Sequence, residues 1–335
     1  MTTHLKVRQI SESEFTVQGH GVHTAFDEVV RALDQRPDVT VQKNGFGKFD
    51  VTHIHTVGMY SLFFLLFGSG KKVISAHVVP ASFVGSLVGA KHWLPLASLY
   101  LRWFYNRAQM ILAVSDATKR ELIALGVKRP IEITYNMIDT SVYATTSDDK
   151  RAARRELGIS DSAWVVVGAG QVQPRKRVDS MIAAAKACPD IEFMWIGGMP
   201  FGKIASSSAD MQAMMDHPPK NMTFPGIVPF EKIKRYYQAA DAFFLPSDQE
   251  TFGLVVVEAA SAGLPVVLRD IPDYNETFRG QAIMADESGF AAIFTKLRSD
   301  TRFYKDAQAK SLALAQRYDS KAGAETLVRL YKRLV

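Results

Sequence analysis

Asp248-Gln-Glu-Thr-Phe-Gly-Leu-Val-Val-Val-Glu258 follows an apolar run, Ala242-Phe-Phe-Leu-Pro246, and enters a segment of small and apolar residues, Leu254 to Ala262. That order reads as a buried strand, an acidic loop with a glycine, then a helix. A helix start leaves backbone N–H groups unpaired and carries a partial positive charge, so it suits a phosphate. Glu250 sits in the loop and Glu258 on the new helix. Carboxylates flanking a phosphate suit the hydroxyls of a sugar and of a ribose. A plain surface turn with a capped helix and two solvated glutamates fits the same spacing.

The rhythm extends in both directions from this stretch. Downstream, Leu264 to Leu268 is another strand. Upstream, Trp164-Val-Val-Val-Gly168 is a buried strand, Gly170-Gln-Val-Gln-Pro-Arg-Lys-Arg-Val178 a basic loop, and Val178 to Cys188 a helix. Ile191 to Ile196 and Met222 to Gly226 are strands, with Glu231 to Ala240 helical. The N-terminal half repeats the pattern. Leu5 to Ile10 alternates as a strand, and Phe26, Val29, Val30 and Leu33 recur at helical spacing. Asp50 to His55, Lys72 to His77, Ile111 to Ser115 and Ile131 to Asn136 are further strands. Strands alternating with helices in both halves predict two doubly wound parallel-sheet domains. The charged patch Thr145 to Arg155 is expected as the linker and the start of the second half, and Lys310 to Val335 as helical.

The chain of 335 residues has room for two domains. A single cysteine, Cys188, excludes an internal disulfide framework. The N-terminus has no apolar segment of signal-peptide type. Met59 to Phe67 is strongly apolar but falls short of the about 20 residues that span a bilayer. A net charge of +6 is no nucleic-acid signature, and it suits an anionic partner such as a nucleotide diphosphate or a membrane surface. Between Ala81 and Ala113, Trp93, Tyr100, Trp103, Phe104 and Tyr105 alternate with Lys91, His92, Arg102 and Arg107. That stretch reads as a buried helix pair or as a surface for lipid headgroups.

His53 and His55 fall on one face of a strand, with only Asp50 nearby to complete a metal set, so structural histidines are the expectation. His77 ends a strand, where ligands sit in open α/β sheets. Gly19 and Gly21 form a loop that lets a ligand approach the backbone closely, without the third glycine of a dinucleotide fingerprint.

Four segments together resemble a known family, the retaining glycosyltransferases of family 4. Glu250-Thr-Phe-Gly-Leu-Val-Val-Val-Glu258 is similar to its E-x7-E donor motif. The loop from Gly170 to Arg177 stands where the family grips the donor diphosphate. Tyr135-Asn-Met-Ile-Asp139 with Val142-Tyr143, and Ala113-Val-Ser-Asp116, are similar to its hinge and acceptor-domain segments. The family arginine is Gln171 here, the family lysine is Lys176, and the glycine after it is Arg177.

The resemblance implies a GT-B fold, with two Rossmann-like domains facing across a cleft. It implies an acceptor domain over residues 1–147 and a donor domain over 148–317, with a final helix near 318–335 packed back on the first. It implies that Gly19 and Gly21 approach the donor phosphates and that Arg175 and Lys176 neutralise the diphosphate. Glu250, with backbone N–H groups of Phe252, Gly253 and Leu254, would hold the donor sugar and phosphate. Glu258 would bond the ribose, and His77 would lie near the transferred sugar. The catalytic set is then Glu250, His77 and Lys176, with no metal and no cofactor beyond the nucleotide sugar. Retention would follow a front-face route in which the leaving phosphate helps deprotonate the acceptor.

Ser13-Glu-Phe, Gly19-His-Gly-Val-His23, Ala76-His-Val-Val-Pro80 and Gly170-Gln-Val-Gln-Pro174 resemble bacterial members that glycosylate diacylglycerol lipids. The expected reaction is transfer of a hexose, glucose or galactose, from a UDP-sugar to diacylglycerol or a glycolipid. The expected place is the cytoplasm, peripheral on the inner face of the cell membrane through residues 91–107. Transfer to a soluble or polysaccharide acceptor is the alternative within the class, and a non-catalytic sugar-nucleotide-binding protein the alternative outside it. No nucleic-acid partner is expected.

Overall fold

The computed structural model describes residues 4–15, 21–83, 90–199 and 208–335, without the side chains of residues 83, 90, 91 and 208. Gly19 and the Lys91 side chain therefore lie outside the description. The described chain divides into two compact units. One runs as far as Asp139 and resumes at Tyr318–Val335, and the other holds Thr140–Arg317.

The first unit opens with β1 (Leu5–Ile10), α1 (Gly21–Asp34), β2 (Val39–Lys43) and β3 (Val51–Ile54). It continues through α2 (Met59–Phe67), β4 (Lys71–Ala76), α3 (Pro80–Phe83), α4 (Ala90–Tyr105), β5 (Met110–Ala113), α5 (Asp116–Ala124) and β6 (Ile131–Ile133). Its six strands form one parallel sheet in the order β2-β1-β3-β4-β5-β6. Successive side chains of a strand point to opposite faces. Val73 and Leu112 accordingly pack in one core with Val7 and Leu33, while their neighbours Ile74 and Ile111 pack in another with Ile54 and Phe104. Both faces are covered, which is why β3 and β5 are buried along their whole length.

The second unit runs α6 (Ser147–Leu157), β7 (Val165–Ala169), α7 (Val178–Ala187), β8 (Glu192–Ile196), α8 (Ser208–Asp216) and β9 (Met222–Gly226). It then runs α9 (Phe230–Ala239), β10 (Ala242–Leu245), α10 (Leu254–Ser261), β11 (Val266–Arg269), β12 (Ile283–Ala285), α11 (Phe290–Ser299) and α12 (Thr301–Arg317). Its parallel sheet has the order β12-β11-β10-β7-β8-β9. The last helix, α13 (Ser320–Lys332), belongs to the first unit, where Leu327, Leu330 and Tyr331 join the core around Val7 and Leu33.

Two expectations need correcting. Thr145 to Arg155 does open the second half, but as a helix rather than a linker. Thr146 and Asp149 form a capping box and α6 runs to Leu157. Its buried face carries Arg154 beside Ala153, and the guanidinium bonds Ala239 O at 3.0 Å and Asp241 at 2.8 Å. A charged residue on the buried face masked the helical pattern. The division between units falls instead after Asp139. Lys310 to Val335 is helical, but in two pieces, the end of α12 and α13. The chain breaks at Tyr318-Asp319, where Ile138 N–H donates to Tyr318 O at 3.1 Å and Ser320 N–H to Ile138 O at 2.8 Å. Asp319 then caps α13 by accepting from Lys321 N–H.

Candidate active site

In the second unit the strand order reverses between β7 and β10. Ligands of open parallel sheets bind beyond the strand carboxyl ends at such a reversal. The loops leaving these two strands carry the basic and acidic residues singled out above. Lys176 Nζ lies 2.5 Å from Glu250 Oε1, and Arg175 Nη1 lies 3.5 Å from Glu250 Oε2. Lys176 is 7% and Glu250 6% exposed, so this is a buried ion pair. Asp248 N–H donates to Arg175 O at 2.9 Å and Arg175 Nη1 to Gln249 O at 3.1 Å, which ties the loops together.

Burial would raise the Glu250 pKa, but the charges of Lys176 and Arg175 outweigh it and hold the carboxyl below its ordinary value. Burial lowers the Lys176 pKa against the attraction of Glu250. The loop geometry needs two glycines. Gly170 has φ +142°, and a Cβ there would sit 3.3 Å from Lys176 Cε. Gly253, at the head of α10, has φ +91°. Phe252 and Leu254 bury their side chains, at 2% and 7% exposure, so only their backbones are placed to act on a ligand.

Gln171 accepts from Gln173 Nε2 at 2.6 Å and sends no charge toward Glu250; Arg175 does that instead. Arg177 has φ +51° and ψ +50°, the left-handed region. That explains why a glycine suits this position in the family, and the guanidinium here bonds Asp179 at 2.9 Å and Glu287 at 3.1 Å. Glu258 is buried along α10 and accepts from the Tyr237 hydroxyl at 2.9 Å. Burial, then the Glu258 charge, pushes the Tyr237 phenol well up. Sequence reasoning missed Tyr237 and also Tyr274. The Tyr274 phenol is pushed well up by burial and then by Glu250. The Tyr274 hydroxyl and Gln249 Oε1 are buried without a partner among the described residues. Unsatisfied polar atoms beside a buried ion pair suit a ligand rich in hydroxyls.

In the first unit, Gly21 is the exposed first residue of α1, with nothing within 4 Å of an added Cβ. His77 follows β4 directly and lies 9% exposed, its Nε2 3.3 Å from His55 Nδ1. His53 bonds Tyr331 Oη at 2.7 Å and Ser75 Oγ at 2.8 Å, and His55 Nε2 bonds Gln9 Oε1 at 2.8 Å. Asp50 accepts from Lys6 N–H at 2.8 Å. A grouping the sequence did not reveal is Glu14, His23 and Asp27, whose ligand atoms lie within 4.8 Å of one another. Lys43 Nζ lies against it, 2.6 Å from Asp27 Oδ1 and 3.6 Å from Glu14 Oε1.

Family models match both halves: "Glycosyltransferase Family 4" over residues 19–142 and "Glycosyl transferases group 1" over residues 149–294. The chain is 32% identical to the alpha-galactosylglucosyldiacylglycerol synthase of Streptococcus pneumoniae, over 98% of this chain and 90% of that protein. It is 27% identical to the processive diacylglycerol alpha-glucosyltransferase of Acholeplasma laidlawii, over 88% and 87%. Among solved structures, Anabaena HepE in complex with UDP-glucose superposes with a TM-score of 0.79 at 18% identity, covering 99% of this chain and all of that one. Sucrose-phosphate synthase of Thermosynechococcus elongatus superposes with a TM-score of 0.80 at 14% identity, over 98% and 99%. Those likenesses agree with two parallel six-stranded sheets. By its fold and by both of its halves, the chain belongs to the family-4 glycosyltransferases of the GT-B fold.

Proposed function

We propose that this glycosyltransferase moves glucose or galactose from a UDP-sugar to diacylglycerol or a glycolipid, with retention of configuration and without a metal. The observation that carries the acceptor class is the identity to two diacylglycerol glycosyltransferases along most of both chains. The donor roles rest on the Lys176–Glu250 pair at the β7/β10 reversal. In this reading Lys176 and Arg175 take the charge of the leaving diphosphate. Glu250, Tyr274 and the first turn of α10 hold the sugar and phosphate. Glu258, oriented by Tyr237, bonds the ribose, and His77 meets the transferred sugar. Attack on the same face that the diphosphate leaves then requires positioning and charge stabilisation rather than a side-chain nucleophile.

A peripheral membrane contact is part of the proposal, and it is wider than residues 91–107. On α2, Met59, Phe63, Leu66 and Phe67 are exposed at i, i+4, i+7 and i+8, one face of the helix. On α4, Leu96, Leu99 and Trp103 are exposed beside Arg102, with Arg107 4.5 Å over the Trp103 ring. No Asp or Glu occurs between Asp50 and Asp116. An exposed apolar face on a stretch whose only charged side chains are cations suits an anionic bilayer. Among the described residues no helix is long and apolar enough to cross a membrane.

The test is incubation with UDP- and GDP-hexoses and a lipid extract, read by mass spectrometry. The expected product is a lipid heavier by one hexose from UDP-glucose or UDP-galactose. Sugar appearing only on water-soluble products would overturn the acceptor class.

A further inference from the structure

Glu250 sits in a loop, outside any strand or helix, so its backbone N–H needs a partner from elsewhere in the second unit. Asp273 supplies it: Oδ2 accepts from Glu250 N–H at 2.9 Å. The fold brings the two residues together because β10 and β11 are neighbouring parallel strands, with Leu245 level with Leu268. Glu250 follows the first strand, and a single helical turn, Pro272–Tyr274, follows the second at the same end of the sheet. Aromatic packing ties that turn to the Glu250 loop. The Tyr274 ring lies 5.3 Å from the Phe278 ring, and Phe278 lies 5.6 Å from Phe252. The loop is thus braced from two sides. On one side Arg175 holds Asp248 N–H, Gln249 O and the Glu250 carboxylate. On the other Asp273 holds the Glu250 amide by a charge-assisted bond, stronger and more directional than a neutral one. A carboxylate on that amide also keeps a phosphate off it.

We propose that Asp273 is a positioning residue that fixes the backbone at Glu250, and through it the carboxylate that holds the donor sugar. This rests on the glycosyltransferase reading above, in which Glu250 binds that sugar. Lys176 and Arg175 draw the Glu250 side chain toward the β7 loop, and Asp273 anchors its main chain toward β11. With both in place the carboxylate has one orientation; without Asp273 the loop keeps only the pull toward β7. A small misplacement of a group that acts on the transition state is costly to turnover.

The experiment uses the full chain with diacylglycerol vesicles and UDP-glucose or UDP-galactose, whichever is turned over. Asp273→Ala removes the acceptor, and kcat/KM for the UDP-sugar falls about tenfold, as for one charge-assisted bond. Asp273→Asn keeps a side-chain oxygen at the same place and recovers most of that loss. Calorimetry with free UDP gives the second readout. UDP lacks the sugar that Glu250 holds, so Asp273→Ala binds it with nearly the wild-type affinity. A coupling measurement gives the third. In a chain that already carries Glu250→Gln, adding Asp273→Ala costs little more, because the two residues act through one group. Full activity of Asp273→Ala beside an impaired Glu250→Gln overturns the proposal. So does a loss of UDP affinity as large as the loss of turnover, or a penalty that adds in full in the double variant. Full activity of Glu250→Gln overturns the role of Glu250 itself, a different failure. Should Asp273→Ala not fold, Asp273→Ser, which shortens the side chain and removes its charge, takes its place with the same expected losses.

Discussion

Lys176 and Glu250 neutralise each other at 2.5 Å in a buried site, so a change at either residue acts on both. Glu250→Ala leaves a buried ammonium without its carboxylate and should cost ~3–5 kcal/mol of stability in urea unfolding. Loss of transfer in that variant alone would not locate the catalytic role. Glu250→Gln with Lys176→Met removes both charges together and should cost less than the single alanine. A double variant less stable than Glu250→Ala would show that the pair does not govern local stability. Arg177 gives an independent residue-scale test. Its left-handed backbone penalises any Cβ, and its ion pairs are partly exposed. Arg177→Gly should be more stable than Arg177→Ala by ~1 kcal/mol, measured by thermal or urea unfolding; equal stabilities would mean the backbone there carries no strain. None of this was legible in the sequence. Residues 176 and 250 could each be matched to a motif, but their mutual pairing spans a separation that no local pattern encodes. The left-handed turn at Arg177 was visible only as a missing glycine.

At the scale of elements, most strands were readable because their apolar runs are bounded by glycine and polar loops, whereas the short, partly exposed β2 and β12 were missed. Phe26, Val29, Val30 and Leu33 marked the buried face of α1, and all four are buried. What defeated local pattern was polarity inside the core: Arg154 on the hidden face of α6, and the histidines behind β3. His53 is wholly enclosed, and burial followed by the His77 charge lowers its pKa from 6.5 to about 3. The unfolded chain therefore binds a proton below pH 6.5 that the folded chain refuses until about pH 3. Stability contributed by neutral His53 is complete above pH 6.5 and drains as pH falls toward about 3. The slope is ~1.4 kcal/mol per pH unit for one proton. His53→Gln should flatten the acid limb of a pH series of urea unfolding curves by about that slope, and an unchanged limb would contradict the assignment.

For the whole molecule, the repeating strand–helix order fixed two parallel sheets, and the acidic stretch at Glu250 pointed to the sugar-nucleotide chemistry. The surface proposed to face lipid was only half legible. Met59 to Phe67 was too short to span a bilayer, and its length hid the fact that its exposed face is apolar. Only three-dimensional exposure separates a helix that buries such a face from one that presents it. Vesicles rich in anionic lipid should carry the protein upward on flotation, more weakly at high salt. Phe63→Ser with Phe67→Ser should reduce flotation at low salt as well, while a replacement that leaves flotation intact would remove α2 from the contact. The most direct measurement is the anomeric proton coupling of the lipid product, purified after incubation with an α-linked UDP-hexose and diacylglycerol vesicles. The account predicts an α-hexosyl diacylglycerol; a β-linked product, or no glycolipid from any UDP-hexose, would contradict it.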